Sequence, residues 1–247
     1  MTKAFLGNAV SHTKKLFVFA GKAGDNFDQE TIHELRTHFK KIRALLRWQR
    51  ANKQPYNTFK KIYQQAGKIR NIQVVQEMLK NETGVPEEFK QWLDRKLSIL
   101  EKQWHPKSSK KIEKKLLRQV KNINFAQHKN FFPRKLISIQ KAAGKNIISD
   151  TDMHEMRKKI KDIQYAADWW KKNNRSPGTV IKNVPLPVLK KIGTQIGEYN
   201  DRCTLITLFK TYLATKKESI SQNNLVNKWQ QEKAFFKRYL IEKIRRI

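Results

Sequence analysis

Cysteine, glycine, proline and acidic residues are all scarce in this chain of 247 residues. The single cysteine, Cys203, excludes an internal disulfide framework and a metal site built from several cysteines, and it is typical of a reducing compartment. Its simplest interpretation is a small, buried apolar side chain. Because there are only nine glycines and seven prolines, long runs of Lys, Ile, Leu, Gln, Ala and Glu are left uninterrupted. This composition predicts an all-α fold.

Long apolar runs are also lacking, since no stretch approaches the roughly 18 residues that a membrane span needs. A short apolar patch at 16–20 follows Lys14 and Lys15 and leads into Gly21 and Gly24. That order does not have the pattern of a signal peptide. We therefore expect a cytoplasmic protein with no membrane partner.

The shortage of acids leaves a large excess of positive charge. The chain has 53 Lys and Arg against 21 Asp and Glu, a formal net charge of +32. So many positive side chains repel one another, and a polyanionic partner would offset this repulsion. Hydrophobic residues make up 38% of the chain and there are six tryptophans, so a folded core is expected and a disordered basic tail is not.

Capping residues and helix breakers divide the chain into eight predicted helices. Asp28 is a predicted N-cap, and Ser149 and Asp152 have the spacing of a capping box. The break at His105 and Pro106 is the best boundary between two halves, so one domain over 1–247 is expected to contain repeats at 1–105 and 106–247. The predicted helices cover 3–21, 28–52, 57–80, 86–104, 108–127 with a continuation at 133–143, 149–172, 188–214 and 218–246.

An internal repeat relates the two halves. A shift of 121 residues places the tetrapeptide at 33–36 on that at 154–157, and it also places Lys40 on Lys161 and Trp48 on Trp169. A shift of 130 residues places 67–71 on 197–201, in the helix that follows each basic one. Two matched segments in the same order indicate duplication, and each unit is predicted to be an antiparallel four-helix bundle with short connections.

One face of the helix at 28–52 carries five basic side chains and no acid. On a helix of 3.6 residues per turn the other four lie within about 80° of His33, and Glu34 lies off this face. A solvated face normally interleaves acids at i,i+4, so the unrelieved repulsion predicts a bound anion. We call this row the first basic stripe, and it comprises His33, Arg36, Lys40, Arg43 and Arg47.

The helix at 149–172 carries a second basic stripe within an arc of roughly 100°. An apolar face lies beside it, formed by Met156, Ile160 and Ile163. A lone helical histidine is more often a buried, hydrogen-bonded residue than a ligand, but its recurrence in register favours a ligand-binding role over a duplicated structural one. The second stripe comprises His154, Arg157 and Lys161, with Lys158 and Tyr165 at its edges.

These residues resemble the CHAD domain, the conserved histidine α-helical domain. The resemblance rests on HxxRxxxKKxRxxLR at 33–47, on HxxRKxxKxxxY at 154–165, and on the glycine-led segments beginning at 67 and 197. It implies two four-helix bundles related by a pseudo-twofold axis, with a basic central channel that binds inorganic polyphosphate. It also implies an association with polyphosphate granules.

Carried over residue by residue, the resemblance assigns polyphosphate binding to both stripes and to one further lysine. Three acidic or neutral residues, Asp162, Gln164 and Asp168, depart from the family pattern, so the first stripe is expected to contribute more of the affinity. Asn71 stands where the family has an aspartate beside an arginine. The residues assigned are His33, Arg36, Lys40, Lys41, Arg43, Arg47, His154, Arg157, Lys158, Lys161 and Tyr165.

Polyphosphate also suits these residue types on physical grounds. A linear phosphate polymer is recognised by many point and forked donors, which Lys and Arg supply, and other phosphate or sulfate anions would be bound in the same way. A nearby polyanion raises the pKa of His33 and His154 by favouring their charged form. Binding is therefore expected to strengthen below neutral pH.

Other classes of function are less well supported by the sequence. There is no P-loop and no set of acids placed to hold Mg²⁺, so we expect no enzyme and no cofactor. The six histidines show no HxxxH spacing, so no metal site is expected. The alternative is a nucleic-acid-binding protein, since counterion release rewards the same charge, although no basic aromatic platform is recognisable. The tryptophans are interpreted as core packing.

Overall fold

The computed structural model describes residues 2–25, 27–48, 54–104, 110–121, 130–173, 184–215 and 220–247. Within these ranges every regular element is an α-helix, in agreement with the all-α prediction. The nine described helices are α1 (Thr2–Asp25), α2 (Gln29–Trp48), α3 (Gln54–Leu79), α4 (Glu87–Lys102), α5 (Lys110–Lys121), α6 (Phe131–Ala143), α7 (Asp150–Asn173), α8 (Leu186–Leu213) and α9 (Ile220–Arg245).

The predicted caps of the two basic helices are confirmed. The backbone N–H of Thr31 donates to Asp28 Oδ1 at 2.8 Å at the start of α2. At the start of α7, the N–H of Asp152 donates to Ser149 Oγ at 3.0 Å and the N–H of Ser149 donates to Asp152 Oδ2 at 2.9 Å. Both caps satisfy backbone donors that the first helical turn leaves open.

Several predicted helix ends differ from the structure, and three of them show why. Helix α1 continues through Gly21 to Asp25, because its last turns bury Ala20 and Ala23 against the core and this packing offsets the roughly 1 kcal/mol that a helical glycine costs. Helices α3 and α6 begin before Pro55 and Pro133, which occupy the first turn, where a missing N–H costs no hydrogen bond. The predicted half boundary and the stretches 49–52, 122–127 and 174–183 lie outside the described residues.

Equivalent helices of the two halves pack against each other. Helix α2 contacts α1, α3 and α7, while α7 contacts α6, α8 and α2. Helices α3 and α8, which follow the basic helices in each half, are also in contact. The pair α2–α3 therefore lies beside the pair α7–α8, to which the matched sequence segments relate it.

The apolar core consists of two clusters, and neither belongs to one half. The larger cluster joins α1, α2, α5, α6 and α7 with the first parts of α3 and α8 and the end of α9. The smaller cluster joins the second parts of α3 and α8 with α4 and the first part of α9. Two separate four-helix bundles are thus not confirmed, because α3 and α8, 26 and 28 residues long, each extend through both clusters.

The apolar face predicted beside the second basic stripe and the corresponding face of α2 both form part of the larger cluster. Leu35 and Ile42 of α2 and Met156 and Ile160 of α7 are buried. The C-terminal parts of these helices meet through Trp48 and Trp170, whose ring centroids are 5.9 Å apart. Both tryptophans are buried, in agreement with their interpretation as core packing, and their contact joins the two basic helices.

Candidate functional site

A cavity of about 1680 Å³ lies between α2, α3, α7 and α8. Both basic stripes contribute to its wall, although they are 121 residues apart in the sequence. Lys41 and Arg47 do not line it. The predicted residues that the structure brings together there are His33, Arg36, Lys40, Arg43, His154, Arg157, Lys158, Lys161 and Tyr165.

Two arginines of the first stripe are held on the ring of Tyr63 in α3. The Cζ atoms of Arg36 and Arg43 lie 4.7 Å and 5.7 Å from the ring centroid. Arg36 Nη1 also donates to the Tyr63 carbonyl oxygen at 3.4 Å, and Phe39 stacks on the ring with centroids 4.4 Å apart. A tyrosine face attracts a guanidinium without neutralising it. Both side chains are therefore oriented while their charge stays available.

The cations of the cavity depress one another's basicity. Burial is the main cause that lowers the pKa of Arg36, Arg43 and Lys161, and neighbouring cations lower it further. On Lys40, burial, followed by repulsion from Arg36 and Arg157, lowers the pKa to about 7. Lys40 is therefore only partly charged at neutral pH when no anion is bound.

Both predicted histidines are exposed residues on the cavity wall. This exposure does not fit the alternative of a buried structural histidine. Partial enclosure by the wall lowers the pKa of His33, and repulsion from Arg70 adds to the effect. Enclosure, then Lys158 and Arg157, lowers the pKa of His154. Both rings therefore carry less positive charge at neutral pH than an unperturbed histidine does.

Arg47 forms an ion pair with Asp162 and does not line the cavity. Its Nη1 donates to Asp162 Oδ2 at 2.8 Å and to Oδ1 at 3.1 Å, and Lys135 Nζ donates to the same carboxylate at 2.9 Å. Asp162 is 3% exposed, so this carboxylate is an internal counterion. The sequence indicated Asp162 only as a departure from the family pattern. Its pairing with Arg47, a residue of the other half, was missed.

Two other predicted lysines differ in placement. Lys158 lines the cavity, and its Nζ donates to Glu155 Oε1 at 2.6 Å. Lys41 lies on another side of α2, where its charge, after burial, contributes to lowering the pKa of His38 to about 4. Of the eleven predicted residues, nine line the cavity, and Lys41 and Arg47 do not.

Helix α3 supplies cavity residues that the sequence prediction missed. Tyr63, Lys60, Lys61, Lys68 and Arg70 all line the wall. A signal for two of them was present, because Lys60 and Lys61 recur as Lys190 and Lys191 at the same 130-residue spacing as the glycine-led segments. Arg70 Nη1 donates to Gln29 Oε1 at 3.1 Å and so ties α3 to the start of α2.

Some buried donors of the wall have no hydrogen-bond partner among the described residues. These are Arg157 Nε and Asn200 Nδ2. An unpaired buried donor costs free energy, on the order of 1–3 kcal/mol, unless a ligand or water satisfies it. Together with the cation excess, this donor set fits an anion with many acceptor oxygens.

Cys203 is a partly buried wall residue, not the fully buried one expected. Its Sγ lies 3.9 Å from Asp150 Oδ2, and burial is the main cause that raises the pKa of the thiol. The residues described contain no group of three or more His, Cys, Asp or Glu side chains suited to a metal ion. None of the described helices is both long enough and apolar enough to span a bilayer.

Comparison with known proteins identifies the family. The CHAD domain family model matches residues 11–210, which is most of the chain. The chain therefore belongs to the CHAD domain family. No curated protein matches it.

A solved structure supports the same fold. The crystal structure of the CHAD domain from the plant Ricinus communis superposes with a TM-score of 0.65 and 16% sequence identity, covering 97% of this chain and 84% of that one. At this low identity the likeness concerns the fold alone, and it agrees with the all-helical architecture.

Proposed function

We propose that the protein binds inorganic polyphosphate in the cavity between α2, α3, α7 and α8, without catalysis. The observation that carries the proposal is that both basic stripes, from separate halves of the sequence, line one cavity. A polymer placed there would meet cations from both sides, so the cavity would act as the central channel of a pseudo-twofold domain. Membership of the CHAD family supports this assignment.

The wall favours a phosphate polymer over a nucleic acid. Sequence-tolerant binding of single-stranded nucleic acid uses aromatic faces on which bases stack. In this cavity the ring of Tyr63 is already in contact with Arg36, Arg43 and Phe39. A base would have to displace these side chains in order to stack on it. A bare polyphosphate needs no stacking surface and uses only the cations and N–H donors.

Competition tests the choice of ligand. Labelled single-stranded RNA or duplex DNA is first bound to the protein at physiological salt, and long-chain polyphosphate is then added. We expect polyphosphate to displace either nucleic acid at lower phosphate concentration than unlabelled nucleic acid does. Failure to displace would favour the nucleic-acid-binding alternative.

The absence of catalysis and the cellular role have their own tests. Incubation of the protein with polyphosphate and Mg²⁺ is expected to release no orthophosphate and to leave the chain length unchanged on a gel. The tagged protein is expected to associate with polyphosphate granules in cells that form them. Release of orthophosphate would show that the protein hydrolyses polyphosphate and would contradict binding without catalysis.

Affinity for polyphosphate is expected to rise as pH falls from 8.5 to 6. The polyanion raises the pKa of Lys40 from about 7 toward its ordinary value, so binding above pH 7 is accompanied by proton uptake. Below pH 7 the contribution of Lys40 levels off. His33 and His154, whose pKa is lowered in the free protein, then take up protons as the anion raises that pKa.

Titration calorimetry in two buffers of different ionisation enthalpy measures this proton uptake. The matched variant is Lys40→Arg, which keeps the charge at every pH. It is expected to reduce proton uptake between pH 7 and 8.5 while leaving the histidine contribution at pH 6. Equal affinities of the wild type at pH 6 and pH 8 would contradict the linkage.

A further inference from the structure

Glycine occurs opposite an arginine of the basic stripe in each half of the molecule. A Cβ atom added at Gly67 of α3 would lie 2.3 Å from Arg36 Nη1. A Cβ atom added at Gly197 of α8 would lie 3.2 Å from Arg157 Nη2 and 3.3 Å from its Nε. The arginines are related by the 121-residue shift and the glycines by the 130-residue shift. The same contact therefore recurs at equivalent positions.

Neither glycine is explained by backbone conformation or by helix formation. Both lie inside long helices, and Gly84 is the described glycine with a positive φ. Glycine inside a helix is less favourable than alanine by up to about 1 kcal/mol, so it needs a compensating reason. The atoms that a side chain would meet belong to a guanidinium in both cases. Space for that guanidinium against the helix backbone is the common feature.

We propose that Gly67 and Gly197 are positioning residues for the anion site, each providing the space in which a stripe arginine lies against the facing helix. The inference rests on the proposed binding of a phosphate polymer in this cavity. Gly67 lets Arg36 lie over Tyr63 and donate to its carbonyl oxygen. A methyl group there displaces the end of a flexible side chain and leaves the backbone unchanged. Substitution therefore alters the site without unfolding the protein.

Gly193 provides the contrast within α8. A Cβ atom at Gly193 would lie 2.9 Å from Ile160 Cγ2 and 3.0 Å from Gln164 Nε2. The apolar neighbour Ile160 is fully buried in the core. Gly193 is therefore a helix-packing glycine, and its substitution is expected to lower the melting temperature. Gly67 and Gly197 contact a cation of the cavity and are expected to behave differently.

The test compares Gly67→Ala and Gly197→Ala with Gly21→Ala, a matched control in α1 where an added Cβ meets nothing within 4 Å. Gly67→Ala is expected to weaken polyphosphate binding by about tenfold to a hundredfold, since it displaces one charge-assisted donor group. Gly197→Ala is expected to have a smaller effect because its contacts are longer. Neither variant should lower the melting temperature, and Gly21→Ala should bind as the wild type does.

A double-mutant cycle identifies the arginine as the reason. In an Arg36→Ala background, Gly67→Ala is expected to cause no further loss of affinity, because the displaced group is already gone. An equal loss in both backgrounds would overturn the proposal. So would a lowered melting temperature that accounts for the whole effect.

A measurement without ligand separates this proposal from the proposed function. The side-chain Nε–Hε resonances of Arg36 and Arg157, assigned with the Arg36→Lys and Arg157→Lys variants, report where each guanidinium lies in the free protein. Gly67→Ala is expected to shift the Arg36 resonance and Gly197→Ala that of Arg157. Unchanged resonances overturn the positioning role, whereas a wild type that binds no polyphosphate overturns only the function.

Discussion

Replacement of both Arg36 and Arg157 by alanine is expected to weaken polyphosphate binding by roughly a hundredfold to ten-thousandfold. Both guanidiniums line the cavity at equivalent positions of the two halves. A hydrogen bond to a charged group contributes roughly 1.5–3 kcal/mol, and two such groups are removed here. Titration calorimetry with one defined chain length at pH 7 and physiological salt measures the change.

The matched control is Arg118→Ala with Arg134→Ala, which removes the same charge from exposed residues that do not line the cavity. It is expected to change the affinity little. The cavity variant should also melt at a temperature no lower than the wild type, because removing two like charges from a crowded wall relieves repulsion. Unchanged affinity in the cavity variant would contradict the proposal that polyphosphate binds in this cavity.

Asp162→Asn is expected to lower stability and to raise polyphosphate affinity. The carboxylate of Asp162 is buried, and its loss leaves Arg47 and Lys135 without their anionic partner. Breaking a buried ion pair costs about 3–5 kcal/mol. Here Arg47 and Lys135 are 39% and 26% exposed, so solvent screening reduces the expected cost to about 2–3 kcal/mol, or about 5–10 °C in melting temperature.

The gain in affinity is expected because a negative charge leaves the cavity wall and Arg47 becomes available to the ligand. A rise of about threefold to tenfold corresponds to one additional charge-assisted contact at a partly exposed site. Asp94→Asn is the control, since Asp94 is exposed and accepts its hydrogen bond from Gln76. It should leave both stability and affinity near the wild-type values. Weaker binding by Asp162→Asn would contradict the counterion role.

Arg47 shows where helical periodicity stops being sufficient. Its position on α2 places it in line with His33 and Arg43, and a helical projection makes no distinction between them. The distinction comes from Asp162, which is 115 residues away and reaches Arg47 only through the packing of α2 on α7. A one-dimensional pattern gives the direction of a side chain but not what that side chain meets.

Lys40 shows the same limit for electrostatics. The sequence predicts a cation at this position, and the structure has it on the cavity wall. Its pKa of about 7 results from burial and from repulsion by arginines of both stripes. Burial and distance are properties of the assembled helices, so a composition that is basic throughout gives no indication of which lysine loses its charge.

The sequence by itself determined the all-α class, the caps of the two basic helices and nine of the residues that line the cavity. Helix composition, the caps at Asp28 and Ser149 and the recurrence of histidine, arginine and lysine at one spacing are local properties, each determined by neighbours within a few turns. The family resemblance rested on the same local patterns, and the family match agrees with it.

Only the tertiary structure decided how the two halves share their cores and which cations remain available. Helices α3 and α8 extend through both apolar clusters, because burying their long apolar faces requires partners from both halves. That packing places Arg47 against the carboxylate of Asp162 and Arg36 over the ring of Tyr63. It also places Gly67 and Gly197 next to arginine side chains. These contacts join residues distant in sequence, and their energies depend on burial, which no local pattern specifies.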